Sequence, residues 1–410
     1  MFSNLIVKQR LRRTREFSLR PGSGFVVLLL FSFLTGIVSA EDAAFYQKAL
    51  SPAASRLLFT VQELSRAGKD KAAIKKIEQF KQGQVRNLPP LLGFVAGNLN
   101  FKLGNYRKAA GLYRQVVTAA PEFGQALENY GAALLQIEDY REANRVFLQA
   151  AAVLPEKSSQ LKYKAAVAAI YAGDYKQARS LLVVLTGTPY PPPAAWLKAL
   201  IQVDWQLSET QAALKTAVRL VDLYPDEIAH WRLYGQVAVA AGSWRKALSA
   251  YKVLQVEGHI TLKERKLLAV IYQRLDLWAE AAEILAEIYA ERLPEARELK
   301  QLTDLYRRTG QTEKALETLN RRQQLYPDPM NIFEQGEILY AAGRYREAAD
   351  IFLSLDKIPE KDGRQYLMAG YCAWNLDDFT AAAGAWQRAA GYPAWQKQAQ
   401  DLLRNLKPLL

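Results

Sequence analysis

The sequence predicts an all-α protein: about ten stacked helix-turn-helix repeats closed by a C-terminal helix. Three observations predict it. Alanine recurs at Ala73, Ala109, Ala143, Ala178, Ala213, Ala247, Ala281, Ala315, Ala348 and Ala382, at gaps of 33 to 36 residues. Five residues before it stands Gly68, Gly104, Gly173, Gly242, Gly310 or Gly343, although the chain holds only 23 Gly in 410 residues. Three residues before it stands an aromatic at Tyr106, Tyr140, Tyr175, Trp244, Trp278, Tyr345 and Phe379. A period of this length marks an array of identical supersecondary units.

Each element of the unit follows from its residues. The run before the glycine has helical spacing of apolar residues, as in Trp231, Tyr234, Gly235 and Ala238. Glycine ends that helix by entering the left-handed region without a Cβ penalty. A second amphipathic helix follows, as in Trp244, Ala247 and Tyr251. Its alanine is small because two helices cross closely there. Proline then stops it, twelve residues on at Pro121, Pro155, Pro225 and Pro327, or eleven on at Pro189, Pro359 and Pro393. The fourth of the well-marked repeats is among those that lack the glycine and reads Ser208-Glu209-Thr210. The segment from Thr188 to Pro193 reads as a polyproline connector, or else as a hinge or a ligand for an aromatic groove. No strand pattern recurs.

Trp231/Tyr234/Gly235, Ala143/Phe147/Pro155 and Ala348/Phe352/Pro359 resemble the tetratricopeptide repeat (TPR) signature. The resemblance covers residues 54–393 and implies a TPR superhelical solenoid. Residues 394–410 then form a capping helix and tail, and residues 41–53 a lead-in segment.

Residues 1–40 read as targeting sequence. Lys8, Arg10, Arg12, Arg13, Arg15 and Arg20 precede an apolar run from Phe25 to Val38, and Val38-Ser39-Ala40 offers a cleavage site. The expectation is a secretory signal peptide, with an uncleaved anchor facing the periplasm as the alternative. The formal charge is +13. Removing this segment takes away six basic residues and one acidic residue and leaves about +8, too mild to mark a nucleic-acid binder by charge alone.

The residues for chemistry are sparse. One cysteine, Cys372, and two histidines, His230 and His259, exclude an internal disulfide and disfavour a metal cluster. Nucleotide-binding, zincin and nucleophile-elbow motifs are missing. Asp377-Asp378 fits helix capping. The expectation is a non-enzyme without cofactors.

Function is therefore sought in a binding surface. The TPR resemblance implies that first helices line an inner groove. By register that groove carries Lys198, Arg232, Lys263, Lys266, Arg274, Arg297, Lys300 and Arg307, with Asp304 the main acid. Phe94, Phe101, Tyr163 and Trp205 flank it on one side, and Phe333, Tyr340, Tyr371 and Trp374 on the other. Such a stripe suits an acidic extended peptide or a free carboxylate, or else merely solvates helix faces. A narrower resemblance rests on the run Trp231–Gly242 and the Gly258-His259-Ile260-Thr261 linker. It is to the exported TPR component of TonB–ExbB–ExbD-type systems, and implies a periplasmic scaffold with those components as partners. The alternative is a scaffold for assembling exported polysaccharide or outer-membrane components.

Overall fold

The computed structural model describes residues 50–84, 88–188, 190–355 and 363–407. The targeting segment, most of the lead-in, Pro189, Pro359 and Pro408–Leu410 lie outside the described residues. Contacts divide the chain after Tyr224 into two compact units. The first holds α1 (Pro52–Arg66), α2 (Asp70–Gln84), α3 (Pro90–Lys102), α4 (Tyr106–Ala119), α5 (Gly124–Gln136), α6 (Tyr140–Val153), α7 (Ser158–Tyr171), α8 (Tyr175–Thr186), α9 (Ala194–Gln206) and α10 (Thr210–Leu223). A single 3-10 turn, Pro155–Lys157, joins α6 to α7. The second holds α11 (Ile228–Ala240), α12 (Trp244–Val256), α13 (Leu262–Arg274), α14 (Trp278–Ala290), α15 (Ala296–Arg308), α16 (Thr312–Leu325), α17 (Pro329–Ala341), α18 (Tyr345–Ser354), α19 (Arg364–Asn375), α20 (Phe379–Ala390) and α21 (Gln396–Leu406). Within each unit helices pack on their sequence neighbours, so successive hairpins stack. Odd-numbered helices are the first helices of the pairs, and α21 packs on α20 as the cap, burying Ala399 and Leu406.

The alanine register is the core of every pair. All ten alanines have no exposed surface. Four residues on, a larger side chain crosses to the first helix: Tyr113, Phe147, Tyr251, Phe352 and Trp386 are each buried against a glycine of the facing helix, Gly97, Gly131, Gly235, Gly336 and Gly370. Replacing Ala247 or Ala281 with Leu is expected to cost about 1–3 kcal/mol by overpacking. The check is chemical denaturation, where a midpoint equal to the parent's contradicts the packing.

The turns repeat more faithfully than their residues do. The six register glycines have φ between +67° and +78°. In the four repeats without glycine, Glu138, Ser208, Asp276 and Asp377 occupy the same place with φ of 58° to 63°. The turn at Ser208 is therefore the same turn, made by a residue that pays a steric penalty for it. Glu138→Gly and Ser208→Gly are expected to raise stability by about 1 kcal/mol each, read as a higher Tm. A fall in Tm at both positions contradicts this account.

Helix ends follow the sequence signals. Thr261 and Glu264 cap α13 reciprocally, and Asp378 accepts the Ala381 N–H at 2.9 Å. Helices α4, α6, α10, α16 and α20 all end before their prolines. Pro193 caps α9 in extended geometry, and the Tyr224 hydroxyl donates to the Pro192 carbonyl at 2.9 Å. That bond ties the proline connector to its own unit.

Candidate protein-binding face

The aromatic that opens seven of the second helices organises its surroundings. Phe101 meets Tyr106 at 5.1 Å between ring centroids, Tyr340 meets Tyr345 at 5.3 Å, and Trp374 meets Phe379 at 5.4 Å. In other repeats the next first helix supplies the neighbour: Tyr171 stacks on Tyr140, Arg274 lies 5.7 Å over Trp244, and Arg308 lies 4.7 Å over Trp278. Arg274, Tyr340 and Trp374 are thus engaged with turn aromatics of their own unit.

Other expected groove residues are also occupied. Phe333 is buried between Phe352 and the Arg364 guanidinium, and Phe94 and Tyr163 are core. Burial removes these three from any groove surface. Tyr371 packs on Trp386, and its hydroxyl accepts from Gln398. Lys198 is half-buried and Trp205 43% exposed on α9, in the first unit. The remaining candidates belong to the second unit.

Ion pairs join successive first helices there. Arg232, fifth residue of α11, donates to Glu264, third residue of α13, at 2.7 Å. Its guanidinium also donates to the His259 carbonyl at 2.8 Å, which holds the Gly258–Thr261 linker. Lys266, fifth residue of α13, lies 3.4 Å from Glu298, third residue of α15. Both acceptors are also capping-box glutamates that accept from their own N-cap amides. Sequence reasoning missed them because a first-turn Glu looks like a cap alone. The signal was their 34-residue spacing, in step with the cations.

Electrostatics follows this geometry. Burial raises the Glu298 pKa, but hydrogen bonds from Arg292, the Glu295 amide and Lys266, with the Arg292 charge, outweigh it and bring it to about 2. The same opposition, led by the Arg232 bond, leaves Glu264 below its ordinary value. A depressed native pKa gives stability that is complete above the ordinary value of 4.5 and is lost as pH falls toward 2. Between pH 5 and 2 the parent Tm is expected to fall more steeply than that of Glu298→Gln. Parallel slopes contradict the assignment.

The exposed charges that remain on α13 and α15 are mostly cationic. Lys263, Arg297, Lys300 and Arg307 are exposed and Lys266 is half-buried, with Asp304 the exposed acid among them. Arg297 pairs only with the exposed Glu295, at 2.8 Å. Arg307 reaches Glu334 of α17 at 3.7 Å. Nucleophilic chemistry has no support here: Cys372 is fully buried, and burial pushes its thiol up to about 12. No group of His, Cys, Asp or Glu among the described residues is arranged to hold a metal ion. Nor is any described helix long and apolar enough to cross a membrane.

Residues 94–160 and 198–258 match the tetratricopeptide repeat family model. These two stretches, together less than a third of the chain, are similar to tetratricopeptide repeats. Several solved structures are similar to the chain. A TPR protein from Parabacteroides merdae ATCC 43184 is 16% identical, with 61% of this chain and 99% of that one covered and a TM-score of 0.31. MamA from Desulfovibrio magneticus RS-1 is 18% identical, with 50% and 96% covered and a TM-score of 0.30. A Naa15/Naa10 structure bound to HypK-THB is 14% identical, with 84% of this chain but only 59% of that chain covered and a TM-score of 0.44. No curated protein sequence matches significantly.

Proposed function

We propose that this chain is an exported TPR scaffold that holds a partner protein through the cationic face of α13 and α15, as a periplasmic accessory of a TonB–ExbB–ExbD-type system. The observation that carries the reading is the cluster of Lys263, Arg297, Lys300 and Arg307 on two adjacent first helices, against two exposed acids, Asp304 and Glu295. Long cationic side chains on a rigid helical face capture carboxylates of an extended segment through charge-assisted hydrogen bonds. The basic and apolar character of residues 1–40 supports export. The Gly258–Thr261 linker supports the TonB-type resemblance.

The test is crosslinking in the native envelope from photo-reactive residues at Lys263 and Arg297, followed by mass spectrometry. The expected adducts are TonB-, ExbB- or ExbD-type proteins. With the probe at Lys263, they should disappear in the triple variant Arg297→Glu, Lys300→Glu, Arg307→Glu while helical circular dichroism persists. Adducts confined to polysaccharide or outer-membrane assembly proteins would reject the TonB-type assignment. Unchanged adducts in the triple variant would reject the face.

A further inference from the structure

The ladder between first helices shows how this protein binds a carboxylate, and where it leaves one out. The cation is the fifth residue of a first helix and the acid is the third residue of the next. Arg232 meets Glu264, and Lys266 meets Glu298. Lys300 is the fifth residue of α15, the next in this series. The third residue of α17 is Asn331, not glutamate. Asn331 is buried, accepts from Arg322 Nε at 2.7 Å and donates to the Tyr326 carbonyl at 2.9 Å. It is therefore fully committed to α16 of the preceding repeat and the turn that follows it. Lys300 is exposed and has no carboxylate partner among the described residues.

Two neighbours in register enlarge the vacancy. Arg297 lies one turn before Lys300 on the same helix face, with a side chain 78% exposed whose ion pair is with the solvent-exposed Glu295, at 2.8 Å, a pair that a partner carboxylate can replace. Met330, the second residue of α17, stands at the place that Arg297 holds on α15 and is 59% exposed. An exposed ammonium, an exposed guanidinium and an uncovered thioether thus occupy the step where the two preceding steps carry a bound glutamate.

We infer that Lys300 and Arg297 form an open rung that is completed by a Glu or Asp side chain of the partner, with an apolar partner side chain on Met330. The inference rests on the proposed cationic face and narrows it to one step. The closed rungs, Arg232–Glu264 and Lys266–Glu298, hold the repeats together and leave capture to the open one. The occupant is a side-chain carboxylate within a partner segment, because both closed rungs are filled by glutamate side chains.

The experiment uses the full chain and a fluorescent ten-residue peptide of alternating Leu and Glu, acetylated and amidated, read by anisotropy in 50 mM and 300 mM salt. Lys300→Met and Arg297→Met are expected to weaken binding about tenfold each, the size of one lost charge-assisted contact. Lys266→Met should change affinity less than twofold, and Met330→Ser should weaken it severalfold. Circular dichroism and Tm identify any variant that fails to fold. Lys300→Gln repeats the measurement if Lys300→Met is unstable. Equal losses at Lys266, Arg297 and Lys300 would overturn the open rung but keep the cationic face. No parent binding at low salt would overturn both. Binding of a peptide whose only carboxylate is its free C-terminus, with none of the amidated peptide, would overturn the side-chain assignment.

Discussion

Phe147→Ala is expected to cost about 3–5 kcal/mol. Phe147 is fully buried on α6, and a Cβ at the facing Gly131 would lie 2.7 Å from its ring. The glycine exists to admit the ring, so truncation leaves a void bounded by a backbone that cannot follow. The molecule supplies its own control. Where a second helix carries only Ala217 at this place, the first helix carries Ile201, and both are buried. Bulk is exchanged between the partners and the sum is conserved. Gly131→Ile combined with Phe147→Ala should accordingly recover about 1–3 kcal/mol relative to Phe147→Ala alone. Urea denaturation of the parent, both single variants and the pair measures this. Strict additivity would show that the two side chains do not share one space.

Arg322→Met is expected to be about as damaging, at about 3–5 kcal/mol, for a different reason. Arg322 of α16 and Glu334 of α17 are both buried and form an ion pair, with Asn331 on the guanidinium. Removing the cation strands a buried carboxylate that, among the described residues, only Arg307 approaches, at 3.7 Å. Glu334→Met strands the guanidinium in the same way. The double replacement removes the desolvated charges together and should lie close to the parent in stability, because buried pairs return little net energy over an apolar pair. A double variant as unstable as either single would mean that the pair itself, and not the unpaired charge, governs the effect. The rungs of the partly exposed ladder are expected to matter far less, since solvent screens them.

The repeat was legible for reasons that the two predictions expose. Sites such as Ala143 and Ala247 have no exposed surface and no room, so the sequence must return to a small residue at each pass. The turn place was legible wherever glycine marked it. At Glu138, Ser208, Asp276 and Asp377 it was not, because an L-residue can bear positive φ when packing on both sides over-determines the turn.

The candidate face was legible only in part. A cation spaced at the repeat period can be seen in the sequence, but its engagement cannot. Arg232, Lys266 and Lys300 look equivalent as letters, yet two of them meet a glutamate and the third does not. Three of the expected aromatic flanks, Phe94, Tyr163 and Phe333, are buried for a related reason. Phe333 sits on a first helix at a place that was expected to face inward, and the Phe352 ring and Arg364 draw it into the core.

By itself the sequence determined the helix pairs, their period and their close crossings, because steric exclusion acts on each residue singly and leaves a mark at every repeat. The tertiary structure alone decided which cations are neutralised, which aromatics are buried and which step of the ladder stays open. Those outcomes depend on pairs of residues a dozen to some thirty positions apart, and a pair has no signature until the two helices lie side by side.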